Sequence, residues 1–161
     1  MNSTLLRLGA LFAILACGSA HAAITCAVAS LSTLSFAYDP SAAAASDTTG
    51  SMSVTCSRKG GPNSVTLTVA VGASSVSGSI NPRAMLGLTS GDQLSYNIFR
   101  NAGRSQIWGQ TAGVDTFSVA VNSIPNNGSR SRNVTFWGRA TPLQAVGAGN
   151  YTDSVVVTIS P

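Results

Sequence analysis

The 161-residue chain contains no glutamate, a single lysine, a single histidine and three cysteines, and charged residues make up only 9% of it. Each scarcity excludes a class of function. The one histidine, His21, lies in an N-terminal stretch that reads as removable, so what remains has no imidazole to shuttle protons at a Ser-His-Asp or Cys-His site. Paired-carboxylate chemistry would have to draw on Asp39, Asp47, Asp92, Asp115 and Asp153, and nothing in their spacing brings two together in unequal surroundings. These aspartates read as turn caps. Zinc needs clustered histidine or thiolate ligands, and no glycine-rich run has phosphate-binding spacing. The sequence predicts a non-enzyme that needs no cofactor and no metal.

What is present begins with an export signal. Arg7 precedes an apolar run from Leu8 to Cys17, and the small-x-small sequence Ala20-His21-Ala22 marks cleavage after Ala22. Residues 1–22 are therefore assigned to a signal peptide and residues 23–161 to one domain. The apolar run is short of the ~20 residues a spanning helix needs, and no later segment is both long and uniformly apolar, so no stable membrane insertion is expected. Removal of the signal takes Cys17 with it and leaves Cys26 and Cys56. In an oxidising compartment such a pair is most simply a disulfide, with two buried free thiols as the alternative.

Eight basic residues then face five aspartates, a net charge of +3 spread along the chain. Nucleic-acid binding would want a concentrated basic stripe with stacking aromatics. The nearest arrangement, Arg130, Arg132 and Arg139 beside Phe136 and Trp137, reads as a solvated strand edge. No nucleic-acid partner is expected.

Short alternating runs separated by turn residues recur throughout, which is the pattern of a β-sandwich or barrel. Candidate strands are Thr25–Val28 with Leu34–Tyr38, Gly50–Ser57, Ser64–Val71, Met85–Thr89, Leu94–Arg100, Thr116–Val121, Arg132–Ala140 and Tyr151–Ser160. Ser41–Ala45 is the one stretch with the composition of a helical turn. Alternation assigns inward faces to Met52, Val54 and Cys56, to Val65, Leu67, Val69 and Val71, to Leu94, Tyr96 and Ile98, to Phe117, Val119 and Val121, and to Val134 and Phe136. Tyr38, Trp108, Trp137 and Tyr151 are candidate exposed aromatics for sugar binding, although packing is the commoner use of such residues beside strands. Asn127, Asn133 and Asn150 match the glycosylation triplet, a pattern common by chance where Ser and Thr abound.

The last run carries the functional expectation. Tyr151, Asp153, Val155, Val157 and Ile159 alternate with Thr152, Ser154, Val156, Thr158 and Ser160. An immunoglobulin-like sandwich adds one more strand at this point to close its sheet. The sequence thus predicts an all-β, immunoglobulin-like sandwich lacking its final strand, with an acceptor groove on Tyr151, Val155, Val157 and Ile159.

Several stretches resemble the spore coat protein U family, the pilin-like domain of archaic chaperone-usher pili: Cys26, Phe36–Pro40, Thr49–Cys56, Leu94–Phe99, Ile107–Gly109, Phe136–Arg139 and Ala148–Val157. They cover nearly all of residues 23–161 in the family's order. The resemblance implies a fold completed by an extended segment from the next subunit. It also implies partners: a periplasmic pilus chaperone, an outer-membrane usher and a neighbouring pilin subunit, with export through the periplasm to a surface pilus that supports adhesion or biofilm formation. Only Ala23, Ile24 and Thr25 lie between the cleavage point and Cys26, too few for a donor strand, so the expectation is a tip or minor pilin that accepts and does not donate. The alternative is a secreted or coat-associated module that binds carbohydrate or surfaces and closes its own edge.

Overall fold

The computed structural model describes residues 23–147 and 150–161; the signal peptide assigned to residues 1–22 lies outside them. Among the described residues the chain forms nine strands and no helix: β1 (Ala23–Leu31), β2 (Ser46–Lys59), β3 (Val65–Val71), β4 (Arg83–Gly87), β5 (Gln93–Phe99), β6 (Phe117–Val121), β7 (Gly128–Ala140), β8 (Tyr151–Thr152) and β9 (Val157–Ser160). A six-stranded sheet runs β1-β2-β7-β5-β4-β8, and a three-stranded sheet β6-β3-β9 packs against it. All pairings are antiparallel. This is an all-β, immunoglobulin-like sandwich without its final strand.

Period-2 alternation builds the core as the sequence suggests. Met52, Val54 and Cys56 from β2 and Leu67, Val69 and Val71 from β3 are at most 1% exposed, and the intervening residues turn outward or are half-buried. β2 and β7 hold one unbroken register from Ser46↔Ala140 to Arg58↔Gly128 and form the spine of the larger sheet. Cys26 and Cys56 are register partners across β1 and β2 and are joined by a disulfide. A cross-link closing a loop of this separation, 30 residues, stabilises by about 3 to 4 kcal/mol in the chain-entropy model.

Four expectations are corrected. Leu34–Tyr38 is extended and alternately half-buried but belongs to no ladder. It crosses the inner face of the larger sheet, where Gly138 leaves room: a Cβ there would stand 2.8 Å from the Phe36 ring and 3.0 Å from Leu34. Ser41–Ala45 makes no helix; Asp39 accepts hydrogen bonds from the Ser41 amide and hydroxyl and closes a turn instead. The fourth strand lies at Arg83–Gly87 rather than Met85–Thr89, and Leu88 is 68% exposed beyond its end. Tyr151–Ser160 is two short strands in different sheets, with the residues between them crossing from one sheet to the other.

Candidate functional site

Both sheets end on a strand with a single neighbour along one side of the sandwich. Among the described residues β1 is bonded only to β2, and β9 only to β3, with no ladder between β1 and β9 themselves. The side chains that line this seam are apolar. Ile24, Cys26 and Val28 of β1, and Val155, Val157 and Ile159 of the C-terminal segment, are half-buried and packed against the core. At the end of the seam where β1 finishes and β9 begins, a cavity of ≈ 330 Å³ opens. Leu31 and Leu34 form one wall, Tyr151, Val155 and Val157 the other, and the core residues Ile98, Trp108 and Phe136 part of its floor.

Polar contacts hold the C-terminal segment in place along this cavity. Tyr151 pairs with Gly87 in the larger sheet, whereas Val157 pairs with Val71 and Ile159 with Val69 in the smaller one. Between them, the Gly72 amide donates to the Val156 carbonyl (2.8 Å) and the Ser75 amide to the Ser154 carbonyl (3.1 Å). The Asp153 carboxylate anchors the crossing. It accepts from the buried Tyr96 hydroxyl (2.7 Å), the Ser75 amide (3.0 Å), the Ser75 hydroxyl (2.8 Å) and the Ser154 amide (2.7 Å). Burial first, and then the hydrogen bond to Asp153, raise the Tyr96 phenol well above its ordinary pKa, so it remains a donor.

Arg83, fully buried behind this cluster, is a residue that sequence reasoning missed, having been counted only within a net charge spread along the chain. Its guanidinium donates to the carbonyls of Gly72, Ile80, Val71 and Trp108. Burial lowers its pKa, while Tyr96 and Asp153 pull the other way. No periodic signal marks it, because the fork of donors is aimed at main-chain carbonyls whose places only the fold sets.

The remaining candidates are placed as follows. Trp108, a candidate exposed aromatic for which packing was the commoner reading, is 1% exposed and donates its indole N–H to the Val69 carbonyl (2.9 Å). It sits in the core between Phe117 and Phe136, at ring-centroid distances of 5.0 and 5.4 Å. Tyr38 is half-buried, and its hydroxyl accepts from the Gln144 amide (2.8 Å). Tyr151 and Trp137 are also half-buried. The groove residues Tyr151, Val155 and Val157 meet around one cavity, and Ile159 continues the same row further along the seam.

Comparison with known proteins adds a family and a fold. A crystal structure of the CsuC-CsuE chaperone-tip adhesion subunit pre-assembly complex, from archaic chaperone-usher Csu pili of Acinetobacter baumannii, contains a chain similar to this one. The identity is 23% and the TM-score 0.56, over 85% of this chain and 39% of that one. A chaperone-tip adhesin complex described as vital for synergistic activation of CFA/I fimbriae biogenesis matches more distantly, with 14% identity and a TM-score of 0.46 over 86% of this chain and 41% of the other. The present chain thus spans about two fifths of the solved chains it resembles. No curated protein matches it. The model of the spore coat protein U domain family matches residues 11–158, nearly the whole sequence, and that family is structural and not enzymatic. The chain belongs to the spore coat protein U domain family.

Proposed function

We propose that this protein is a structural subunit of a chaperone-usher surface pilus whose β1/β9 groove is completed by a β-strand from another chain. The observation that carries the proposal is the coincidence, on one seam, of two strand edges unpaired among the described residues and a row of half-buried apolar side chains over an open cavity. Strand addition uses both: main-chain groups supply pairing and alternate side chains fill pockets. A donor that buries about four apolar side chains at roughly 1.5 to 3 kcal/mol each gains about 6 to 12 kcal/mol gross, before ordering costs. That approaches the ~5 to 15 kcal/mol stability of a whole domain.

An uncovered apolar edge invites aggregation, which supports a periplasmic chaperone as the first occupant, followed at an outer-membrane usher by a neighbouring subunit. Family membership and the fold shared with a chaperone-tip subunit complex support this order of partners. A tip or minor position, with a role in attachment and biofilm formation, is the finer part of the proposal. The burial of Trp108 and the partial burial of Tyr38, Trp137 and Tyr151 count against a sugar-binding module that stands alone.

The test mixes the exported chain with synthetic peptides that carry apolar side chains at alternate positions. The melting temperature rises with at least one of them if the groove accepts strands. A melting curve unmoved by every such peptide, from a chain that is already monodisperse alone, overturns the proposal.

A further inference from the structure

A second margin of the sandwich also lacks a neighbour. β7 is bonded to β2 along its whole length but to β5 only over Trp137–Ala140, so from Ser129 to Phe136 its other edge makes no ladder among the described residues. The facing edge strand of the smaller sheet, β6, is bonded among the described residues only to β3. Like the groove, this margin has backbone groups that belong to no ladder among the described residues.

Its side chains are of the opposite kind. Register places Arg132 against Val54 and Arg130 against Cys56, and directly opposed residues of an antiparallel pair point to the same face of the sheet. Val54 and Cys56 are 0% exposed in the core, so both arginines occupy core-facing positions, in the same alternation as the buried Val134 and Phe136. Yet Arg130 and Arg132 are exposed. Their stems can cover the end of the core while the guanidinium heads reach water. The ion pairs among the described residues go elsewhere, from Arg104 and Arg139 to Asp47. Asp47 lies on the same β2 strand but seven residues before Val54, roughly 23 Å away along the strand.

We propose that Arg130 and Arg132 close this second margin to strand pairing and so confine strand addition to the β1/β9 groove. A strand laid against β7 would crowd two core-facing cations between its own side chains and the sandwich, and neither arginine has an ion-pair partner among the described residues. Burying an uncompensated charge costs far more than the pairing returns, and inward-pointing charge is a means by which sheet edges avoid association. The statement about which margin receives the donor rests on the groove reading above; the closure of β7 does not.

The experiment compares the exported chain with the Arg130→Val/Arg132→Val variant by sedimentation and amide hydrogen exchange across a concentration series. The variant is expected to form an additional concentration-dependent oligomer in which amides within Ser129–Phe136 exchange at least tenfold more slowly. A Ser131→Val/Asn133→Val variant, which adds similar apolar surface on the opposite face of the same strand, should show no such protection. Should the valine variant fail to fold, Arg130→Gln/Arg132→Gln is measured in its place and read by the same criterion. Unchanged sedimentation and exchange in the arginine variant, or equal protection in the Ser131/Asn133 variant, overturns the proposal. Because the readout lies on β7 and needs no peptide, it is independent of whether β1 and β9 accept a strand.

Discussion

Along the seam between β1 and β9 the core-facing positions are Ile24, Cys26, Val28, Val155, Val157 and Ile159, whereas along the first half of β7 they include Arg130 and Arg132. Among the described residues both margins carry backbone outside any ladder, but only at the first is the core-facing row apolar throughout, over an open cavity. Main-chain pairing alone therefore does not decide where a strand can be added. The chemistry of every second side chain does, because those are the groups that a new strand would seal from water.

The sharpest way to break this contrast is to make the first margin resemble the second. Val157→Asp places a carboxylate in the cavity wall and should weaken capture of an apolar alternating peptide by at least about 3 kcal/mol, more than a hundredfold. Thr158→Asp, one residue on and exposed, should leave affinity within a few fold. Peptide titration by calorimetry measures both, and equal losses would show that facing does not govern the groove. The disulfide is a second lever, since it ties edge strand β1 to β2. Cys56→Ser should lower stability by about 3 to 4 kcal/mol in denaturant unfolding, and an unaltered midpoint would contradict the structural role given to the cross-link.

A smaller effect belongs to the crossing that positions the groove wall. Tyr96→Phe removes the donor to Asp153 (2.7 Å) and should cost about 2 kcal/mol of unfolding free energy. It should also weaken peptide capture, because the wall it holds lines the cavity; a stability loss without any change in capture would separate the two. The smallest effect is expected at Asp47, away from both margins. The hydrogen bond from Arg139, the largest cause, and the charges of Arg104 and Arg139 lower the Asp47 pKa, against an opposing effect of burial. A depressed carboxylate pKa contributes stability above the unfolded value of ~3.9, and this is lost as pH falls through the folded value. Asp47→Asn should change stability at neutral pH by less than about 1 kcal/mol, as for other exposed pairs, and should flatten the acid limb below about pH 4. An unchanged acid limb would remove Asp47 from that role.

Much of this was legible in alternation alone. The inward rows of β2, β3 and β5 were read from it, because side-chain facing is what period 2 reports, whereas the pairing of Cys26 with Cys56 was read from the cysteine count and an oxidising compartment. What it does not report is which strand a backbone bonds to. The C-terminal run keeps a perfect half-buried and exposed alternation from Tyr151 to Ser160 while changing sheets midway, since both sheets face the same interior. Leu34–Tyr38 alternates in the same way without belonging to a ladder. The burial of Arg83 and the full burial of Trp108 were not legible for another reason: the donors of each meet main-chain carbonyls at particular points in the fold. The inward facing of Arg130 and Arg132 continues the alternation of Val134 and Phe136, but the sequence reading took these arginines as a solvated strand edge because of their charge.

The most direct measurement is amide hydrogen exchange on the exported chain, alone and with a capturing alternating apolar peptide. In the lone chain, amides on the free edges of β1 and β9 should exchange rapidly, and the peptide should slow them while leaving Ser129–Phe136 unchanged. Free-edge amides of β1 and β9 that are already protected without peptide, or protection that arrives on β7 instead, would contradict a sandwich open to strand addition at the β1/β9 seam.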